Sequence, residues 1–374
     1  MDWIVFGDDW GGHVSTTQHL IRTLPPEDKV LWINSIGMRS PALNTRDLRR
    51  IVAKFTQRGQ SSDSAPSASA ESRAVEVLAP RVVPFHLQRF AQRYNRVSLA
   101  RTIGDGARRL GLDHPVLVSV NPAVELYRES IAHSRLVYLR LDDYGRLNGV
   151  DPALIAATES PMLASADLVV ATARALLPEG STPERALYLP QGVDTEHFGQ
   201  VPLKPSRQRI LGFFGLIAEW IDFDLIRAVA EAAPHWTLEF VGPVRYLPPT
   251  LRELSNVRWK PAVSYRELPN AIRDWSCAWI PMVVNPLTEA VNPLKAREYL
   301  AAGLPTQSVP LPEVRELAQG GDLLIESDPA AIVAWMECEF ATDNEARRLA
   351  RRAAVAADSW TMRSHQLRQH IAER

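Results

Sequence analysis

The chain has 374 residues, more than one ordinary hydrophobic core needs, so it suits two domains. Hydrophobic residues make up 46% of it and the formal net charge is −1, which excludes an overall field that would recruit nucleic acid or a membrane. The absence of a disulfide framework (two cysteines), of a signal-peptide pattern and of an apolar run of about 18 residues predicts a cytoplasmic protein.

The chain opens with a short apolar run, WIVF, then a glycine-bearing loop and a helical pattern. Strand, glycine turn and helix begin a nucleotide-type α/β domain. Gly11 and Gly12 would let a ligand approach the backbone, but the loop lacks the G-x-G-x-x-G of a dinucleotide site, which argues against NAD. His13 lies in this loop and could act as a base or contact an acceptor, although a lone loop histidine is more often a plain surface residue.

Residues 45–78 differ in character from the rest. They contain a basic amphipathic patch, RDLRRIVAKFTQR, followed by a low-complexity stretch, GQSSDSAPSASAESR. One interpretation is an exposed helix with a disordered loop, which we favour slightly. The other is an element that binds an acceptor or the surface of an anionic membrane.

Adjacent acids follow the apolar run LVYLRL, which predicts a strand that ends just before Asp142 and Asp143. Ligands of open α/β sheets bind at the carboxyl ends of strands, where a carboxylate in a dry cleft could deprotonate a sugar hydroxyl. Alternation along a strand would send the two side chains to opposite sides, and we rank Asp143 above Asp142 on that ground. Equally, either acid could cap the next segment.

A proline-bearing charged linker, VPLKPSRQR, places a domain boundary near residue 203. The strand, glycine turn and helix pattern then begins again with ILGFFGLIAEW, in which Gly215 would let the backbone approach a ligand closely. Residues 329–353 look helical, and SWTMRSHQLRQHIAER reads as a final helix that Trp360 would anchor.

The segment NPLTEAVNPLKAREYLAAG, residues 285–303, reads as a loop that leads into a helix. Helix formers begin at Leu294, and Gly303 supplies the stop. Lys295 and Glu298 are three residues apart and share a face of the first turn. A helix start and a lysine attract phosphate, and a glutamate one turn on can accept hydrogen bonds from ribose hydroxyls. The alternative is an ordinary Glu/Lys surface pair.

Two segments of the chain resemble GT-B glycosyltransferases. NPLKAREYLAAGLPTQSVPLPEV is similar to the family pattern P-x-K-x-x-E-Y-L-A-A-G-x-P-V-V-A-T, and LYLPQGVDTEHF is similar to L-P-N-G-V-D-x-x-x-F. The resemblance implies that Lys295 meets the donor diphosphate, with Gly215 beside it, and that Glu298 meets the ribose. The donor-binding residues implied or predicted are Gly12, Gly215, Leu216, Val263, Asn292, Leu294, Lys295 and Glu298, and the catalytic candidates are Asp143, Asp142, His13 and Lys295.

The fold that the resemblance implies is α/β, with two Rossmann-like domains facing across a cleft and a C-terminal helix that crosses back to the first domain. Residues 1–203 would bind the acceptor, residues 204–355 the nucleotide sugar, and residues 356–374 would form the returning helix. The expected partners are a nucleotide-sugar donor and a glycan, glycolipid or small-molecule acceptor. We expect no nucleic acid, and peripheral contact with the inner membrane face is an open option.

The resemblance predicts an enzyme, a hexosyltransferase of class EC 2.4, that moves a sugar from a nucleoside-diphosphate sugar to an acceptor hydroxyl in polysaccharide, glycolipid or other glycoconjugate biosynthesis. A UDP-sugar is the favoured donor and a GDP-sugar is the alternative. No cofactor and no metal are expected, because protein charges would stabilise the leaving diphosphate. Many retaining relatives carry a second glutamate eight positions before the first, which would require an acid at Ala290; the nearest is Glu289. Some inverting relatives use an aspartate as base, so the stereochemistry is left open.

Three alternatives share some of these features. A nucleotide-sugar 2-epimerase has the same two-domain architecture and would convert its substrate without an acceptor. A non-catalytic subunit would bind the nucleotide sugar without turnover. A DNA-modifying glucosyltransferase would need a dense basic groove, which a net charge of −1 does not favour.

Overall fold

The structure is a computed structural model that describes residues 1–12, 14–38, 75–321 and 323–373. The predictions for His13 and for residues 45–74 therefore lie outside the described residues. The chain forms two compact units, one made of Met1–Leu189 together with the residues from Ser364 onward, the other of Pro190–Arg363. Each unit is built on its own parallel β-sheet.

The first unit contains a seven-stranded parallel sheet within the described residues, in the order β3-β2-β1-β4-β5-β6-β7. Strands β4 and β6 are buried at every position, as expected for apolar strands that are covered on both faces. Its strands are β1 (Asp2–Phe6), β2 (Lys29–Ile33), β3 (Val75–Leu78), β4 (Val116–Ser119), β5 (Arg135–Arg140), β6 (Leu168–Ala171) and β7 (Ala186–Tyr188), and its helices are α1 (Thr16–Arg22), α2 (Arg89–Leu110) and α3 (Pro152–Ser165).

The second unit repeats this plan with a six-stranded parallel sheet in the order β10-β9-β8-β11-β12-β13, again among the described residues. Its strands are β8 (Ile210–Phe214), β9 (Thr237–Val241), β10 (Val257–Lys260), β11 (Cys277–Ile280), β12 (Thr306–Ser308) and β13 (Leu323–Ile325). Its helices are α4 (Thr195–Phe198), α5 (Phe223–Ala232), α6 (Leu268–Ala271), α7 (Leu294–Ala301), α8 (Pro312–Ala318), α9 (Pro329–Thr342) and α10 (Glu345–Ala354). A last helix, α11 (Trp360–Ala372), begins in this unit and ends in the first.

The helical stretch predicted over residues 329–353 is two helices. Helix α9 ends at Thr342 and α10 begins at Glu345. The break places Asp343 where its carboxylate accepts hydrogen bonds from Arg348 at 2.7 Å and Arg351 at 2.6 Å. Both arginines are buried, so their charges require this partner, and a continuous helix would not supply it in the same place.

The first division between the units lies after Leu189 rather than near residue 203, where the linker composition predicted it. The reason is packing, because Val193, Phe198 and Val201 are buried in the hydrophobic core of the second unit. Gly192 lies flat against Trp360, since a Cβ at residue 192 would come within 2.6 Å of the indole ring. Trp360 therefore packs on the start of the second unit as α11 begins.

The final turns of α11 are tied to the first unit through Asp28. This carboxylate is buried and accepts hydrogen bonds from Arg368 at 3.0 Å and from the Trp3 indole at 3.0 Å. Burial alone would raise the pKa of Asp28, but hydrogen bonds from Arg368, the Met1 amino group and Trp3 outweigh it and lower the pKa. None of the helices in the described parts of the chain combines the length and apolar composition needed to cross a membrane.

We expect Asp28→Asn to lower the free energy of unfolding at neutral pH by about 2 kcal/mol, because it removes the charge that pairs with the partly exposed Arg368. The folded-state pKa of Asp28 is lower than in the unfolded chain, so this stability is present above the unfolded pKa and is lost as pH falls through the folded pKa. Urea unfolding across acidic and neutral pH measures it.

The matched control is Glu27→Gln, which removes an exposed carboxylate 3.7 Å from the same arginine and should change stability little. A stability difference between wild type and Asp28→Asn that stays constant from neutral to strongly acidic pH would contradict the assignment.

Candidate functional site

The predicted donor residues of the second unit gather at the carboxyl edge of its sheet, the side at which the strands end. Gly215 follows β8 directly, Val263 lies in the loop after β10, and residues 292–295 join β11 to α7. Strand order reverses between β8 and β11, which are neighbours in the sheet. In open α/β sheets ligands bind outside the strand ends at this reversal, so the sheet topology marks a place for a ligand.

Gly215 lies in close contact with the side chain of Lys295. Its φ is +132°, and a Cβ there would lie 2.5 Å from the Lys295 Cε and 2.9 Å from the Nζ. Gly242 after β9 has φ +155°, and a Cβ on it would lie 2.0 Å from the carbonyl oxygen of Gly215. The two glycines let the ends of β8 and β9 pass beside the lysine, and a side chain at residue 215 would displace it.

Lys295 and Glu298 are neighbouring charged side chains on the first turn of α7. Lys295 is half-buried and Glu298 is 8% exposed. Within the described residues neither side chain makes a hydrogen bond or an ion pair, and the Lys295 ammonium lies 5.5 Å from the centre of the Phe213 ring. Charged groups that are removed from water without a hydrogen-bond partner destabilise the folded protein unless a ligand supplies the partner. An anion for the ammonium and hydroxyl donors for the carboxylate would complete both.

The pKa values of this pair are displaced in opposite directions. Burial lowers the pKa of Lys295, and the charge of Glu298 offsets part of that shift. Burial raises the pKa of Glu298 to about 7, and the charge of Lys295 offsets part of that. Each charged form is therefore stabilised by the other and would be stabilised further by a bound anion or hydroxyl group.

Tyr299 connects α7 to the end of β8. Its hydroxyl accepts a hydrogen bond from the backbone N–H of Phe214 at 3.1 Å, and the residue is fully buried. Phe214 is the residue before Gly215, so this bond holds the helix that carries Lys295 in register with the glycine that lies against it. The hydrogen bond between Tyr299 and Phe214 thus fixes the Lys295 ammonium and Gly215 relative to each other.

A second network holds the loop before α7. Arg297, which is 4% exposed, donates to Asp358 at 2.8 Å and to the Asn292 side-chain oxygen at 2.9 Å. The Asn292 amide nitrogen in turn donates to Glu313 at 3.2 Å. The Asn292 side chain, predicted to contact the donor, is therefore committed to this network, and a donor contact from Asn292 would have to come from its backbone.

The other predicted donor residues of this unit are accessible. Leu216 and Leu294 are half-buried, and Val263 is exposed. Glu289 is exposed whereas Ala290, where retaining GT-B relatives carry a second glutamate, is buried. Glu289 therefore does not take the place of the second glutamate, because its side chain faces outward whereas residue 290 is buried.

A carboxylate cluster lies at the carboxyl edge of the first sheet. Asp8 follows β1, and Asp142 and Asp143 follow β5. Burial raises the pKa of Asp142 to about 7, with further contributions from the negative charges of Asp8 and Asp143. Among the described residues the Asp142 side chain has no hydrogen bond or ion pair, whereas Asp143 accepts a bond from Arg146 at 2.8 Å.

This arrangement makes Asp142 a better candidate for a catalytic base than Asp143, which is the reverse of the ranking predicted from the sequence. Alternation does not apply to them, because β5 ends at Arg140 and both acids lie in the turn beyond it. A carboxylate with a pKa near neutrality can act as a base, while one paired with Arg146 is less available. Asp8 was not singled out from the sequence, although this acid follows an apolar strand just as Asp142 and Asp143 do and could have been identified in the same way.

The loop that carries Asp8 is held by the neighbouring strand. The Trp32 indole donates to the Asp8 carbonyl oxygen at 2.9 Å, and the Trp10 N–H donates to the Asn34 side chain at 3.0 Å. Farther along, Gly12 is exposed, and its N–H donates to the Asp9 carbonyl oxygen at 3.3 Å. The structure therefore keeps the Gly12 backbone accessible, while His13 lies outside the described residues.

Comparison with known proteins identifies solved structures with a similar fold and one curated relative that aligns with part of the chain. No family model matches the chain. A stretch of 147 residues, 36% of this chain and 36% of the relative, is 31% identical to TuaH of Bacillus subtilis (strain 168), provisionally named a teichuronic acid biosynthesis glycosyltransferase. The chain thus matches about a third of that curated relative.

Two solved structures align over almost the whole chain. HepE of Anabaena, crystallised with UDP and glucose, aligns with a TM-score of 0.66 and 13% identity over 99% of both chains. Sucrose-phosphate synthase of Thermosynechococcus elongatus aligns with a TM-score of 0.67 and 13% identity over 100% of this chain and 98% of the other. These are GT-B structures, so the predicted fold, GT-B with Rossmann-like α/β units, is confirmed.

We expect the Asp142 carboxyl group to titrate near pH 7 in NMR spectra of protein with ¹³C-labelled aspartate, because burial and two negative neighbours disfavour its charged form. Asp8→Asn should lower this pKa by removing one of those charges. Asp113→Asn, which changes an exposed acid before β4 at the opposite edge of the sheet, should leave it unchanged. An Asp142 pKa near the ordinary 3.8 in the unaltered protein would contradict the described environment.

Proposed function

We propose that this chain is a glycosyltransferase that moves a sugar from a nucleoside-diphosphate sugar to an acceptor hydroxyl. The observation that carries the proposal is that Lys295 and Glu298, beside Gly215 at the strand reversal of the second sheet, make no hydrogen bond or ion pair with any described residue. The GT-B fold supports it, because this is the part of the fold at which the sequence resemblance implies donor binding.

The diphosphate would bind at Lys295. Helix α7 begins at Leu294 without a side-chain cap, so its first N–H groups add positive partial charge beside the ammonium. Negative charge grows on the leaving diphosphate in the transition state, and a preorganised cation there stabilises it. Bound phosphate would also raise the lowered pKa of Lys295 and keep the lysine protonated.

The ribose would bind at Glu298, one turn deeper. Its carboxylate can accept hydrogen bonds from two ribose hydroxyls, and such bonds stabilise the charged form. The raised pKa of Glu298, about 7, would then fall on nucleotide binding. Nucleotide affinity should weaken as pH falls through 7 in the free protein, because protonated Glu298 loses acceptor capacity.

We further propose that Asp142 is the base for an inverting transfer. Its pKa of about 7 leaves it substantially ionised at neutral pH and basic enough to take a proton from a sugar hydroxyl as the hydroxyl attacks. Ala290 stands where retaining relatives carry a glutamate, which also favours inversion. The proton passes from the acceptor oxygen to Asp142, and the bond between the sugar and the diphosphate breaks.

The names of similar proteins suggest the first substrates to test. HepE was crystallised with UDP-glucose as well as with UDP and glucose, so UDP-glucose is our first donor. The provisional name of TuaH refers to teichuronic acid biosynthesis, so uronic acid-containing glycans are our first acceptors. We propose a cytoplasmic location, where nucleotide sugars are made, and independence of metal ions, which activity in the presence of EDTA would test.

We expect Lys295→Ala to reduce turnover about 10²- to 10³-fold through loss of diphosphate stabilisation, with thermal stability retained. Glu298→Ala should weaken UDP binding about tenfold, through loss of bonds to a charged acceptor. Product release from UDP-glucose with and without acceptor, and calorimetry with UDP and GDP, measure the two effects.

Lys204→Ala and Glu289→Ala are matched controls, because both side chains are exposed, and each should behave like the unaltered enzyme. Near-normal turnover by Lys295→Ala would refute the donor assignment. Conversion of the donor without acceptor would instead indicate the epimerase, and UDP binding without any turnover would indicate the non-catalytic subunit.

For Asp142→Asn we expect kcat to fall about 10²- to 10⁴-fold with UDP affinity unchanged, because the amide cannot accept the proton. Asp143→Asn should have a much smaller effect. In the unaltered enzyme kcat/KM should rise with pH through about 7 as Asp142 ionises. Retention of anomeric configuration in the product, read by NMR, would exclude Asp142 as the base of an inverting reaction.

A further inference from the structure

Helix α2 is the longest described helix and has two very different faces. Its inward face packs on the first unit, and a Cβ on Gly106 would lie 2.9 Å from side-chain carbons of Leu31 and Leu78. The buried positions repeat at helical spacing: Ala91, Asn95, Leu99, Ile103 and Gly106. This face is the ordinary core contact of an α/β unit. The outward face of the first half does not follow the usual polar pattern.

A stripe of large apolar side chains covers that outward face. Phe90 is 66% exposed, Tyr94 46% and Val97 49%, and Leu87 just before the helix is 41% exposed. Their spacing of three and four residues places them along one side of the helix. Contiguous exposed apolar residues of this kind mark an interaction surface, whereas single ones do not. We call these four residues the apolar stripe.

Arginines flank the apolar stripe, and no acid accompanies them. Residues 77–104 contain five arginines and no aspartate or glutamate. Arg89, Arg93 and Arg101 are exposed and have no hydrogen bond or ion pair with any described residue, and Arg96 donates only to the Leu126 carbonyl oxygen. Within the part of the chain that the structure describes, these three arginines therefore carry positive charge that no acid neutralises by pairing.

The far end of the same helix shows the ordinary arrangement. There Arg108 pairs with Asp105, and Arg109 pairs with Glu76 on β3. The uncompensated charge is thus confined to the half of α2 that carries the apolar stripe. The apolar stripe and the arginines that pair with no described acid thus lie on the same half of α2, and together they indicate which kind of partner this surface binds.

We infer that the first half of α2 docks the protein on an anionic lipid bilayer. Aromatic and aliphatic side chains of a helix lying flat at a bilayer enter the boundary between headgroups and acyl chains, while neighbouring arginines meet lipid phosphates. The helix supplies both parts, and its opposite face remains packed on the sheet. A water-soluble protein partner would satisfy the apolar stripe but would need a matching acidic surface, whereas an anionic membrane presents that charge everywhere.

This inference does not depend on the proposed catalytic activity, because membrane docking and sugar transfer use different residues. It also moves the membrane contact away from the basic patch predicted within residues 45–78, most of which lies outside the described residues. A lipid-linked or membrane-borne acceptor would be brought near the enzyme by such docking.

The test is co-sedimentation of the full chain with vesicles of phosphatidylcholine alone and of phosphatidylcholine mixed with phosphatidylglycerol. We expect binding to the anionic vesicles to be about 100-fold tighter, and to weaken as salt is added. Arg89→Gln combined with Arg93→Gln should weaken it about 30-fold, since each arginine near an anionic surface contributes roughly fivefold. Phe90→Ser combined with Tyr94→Ser should weaken it at least about tenfold.

The matched control is Arg108→Gln combined with Arg109→Gln, which removes the same charge from the paired half of the helix and should leave vesicle binding close to normal. UDP affinity should be unchanged in all three double variants, which shows that they are folded. Absence of vesicle binding by the unaltered protein, equal loss in the control, or a dimer in solution that Phe90→Ser with Tyr94→Ser dissociates would each overturn the inference. Failure of UDP binding would bear on the donor site alone.

Discussion

A half-buried ammonium group that makes no hydrogen bond with any described residue is the constraint on which the second unit depends. Lys295 can lie where it does only because Gly215 has no side chain and Gly242 lets the neighbouring strand end approach. The Tyr299 hydroxyl then ties the lysine's helix to the residue before that glycine. Partial burial without a partner among the described residues is unfavourable in the free protein, so the arrangement is explained best by a ligand that carries the missing negative charge.

The two sheets use the same topology and opposite electrostatics. Both present their functional candidates at the carboxyl edge, near the reversal in strand order. In the second unit a lysine and a glutamate offset each other, which suits a ligand with both phosphate and hydroxyl groups. In the first unit burial raises the pKa of Asp142 to about 7, with the negative charges of Asp8 and Asp143 adding to the shift, and such a pKa suits proton transfer. The two units thus each offer a candidate site at the carboxyl edge of the sheet, and the two sites differ in the charges of their side chains.

Buried ionic networks hold the helices around the donor residues. Arg297 joins the loop before α7 to Asp358, and Arg351 joins the carbonyl of Gly303, just past α7, to Asp343. Such networks rarely add much stability over apolar packing, but breaking one partner leaves a buried charge uncompensated. They therefore restrict α7 to one position, and the proposed binding of a diphosphate by its first turn would benefit from that restriction.

Local patterns determined the strands, their alternation with helices and the helix start at Leu294, because apolar runs, glycines and prolines act over a few residues. They also brought Lys295 and Glu298 to one helix face, since residues three apart are neighbours in any α-helix. Only the tertiary structure decided that the pKa of Asp142 is raised, because the shift comes first from burial and then from the charge of Asp8, which lies far away in sequence. The same holds for the committed side chain of Asn292, the chain division after Leu189 and the exposed half of α2: burial and long-range charge arise from packing that no short stretch of sequence contains.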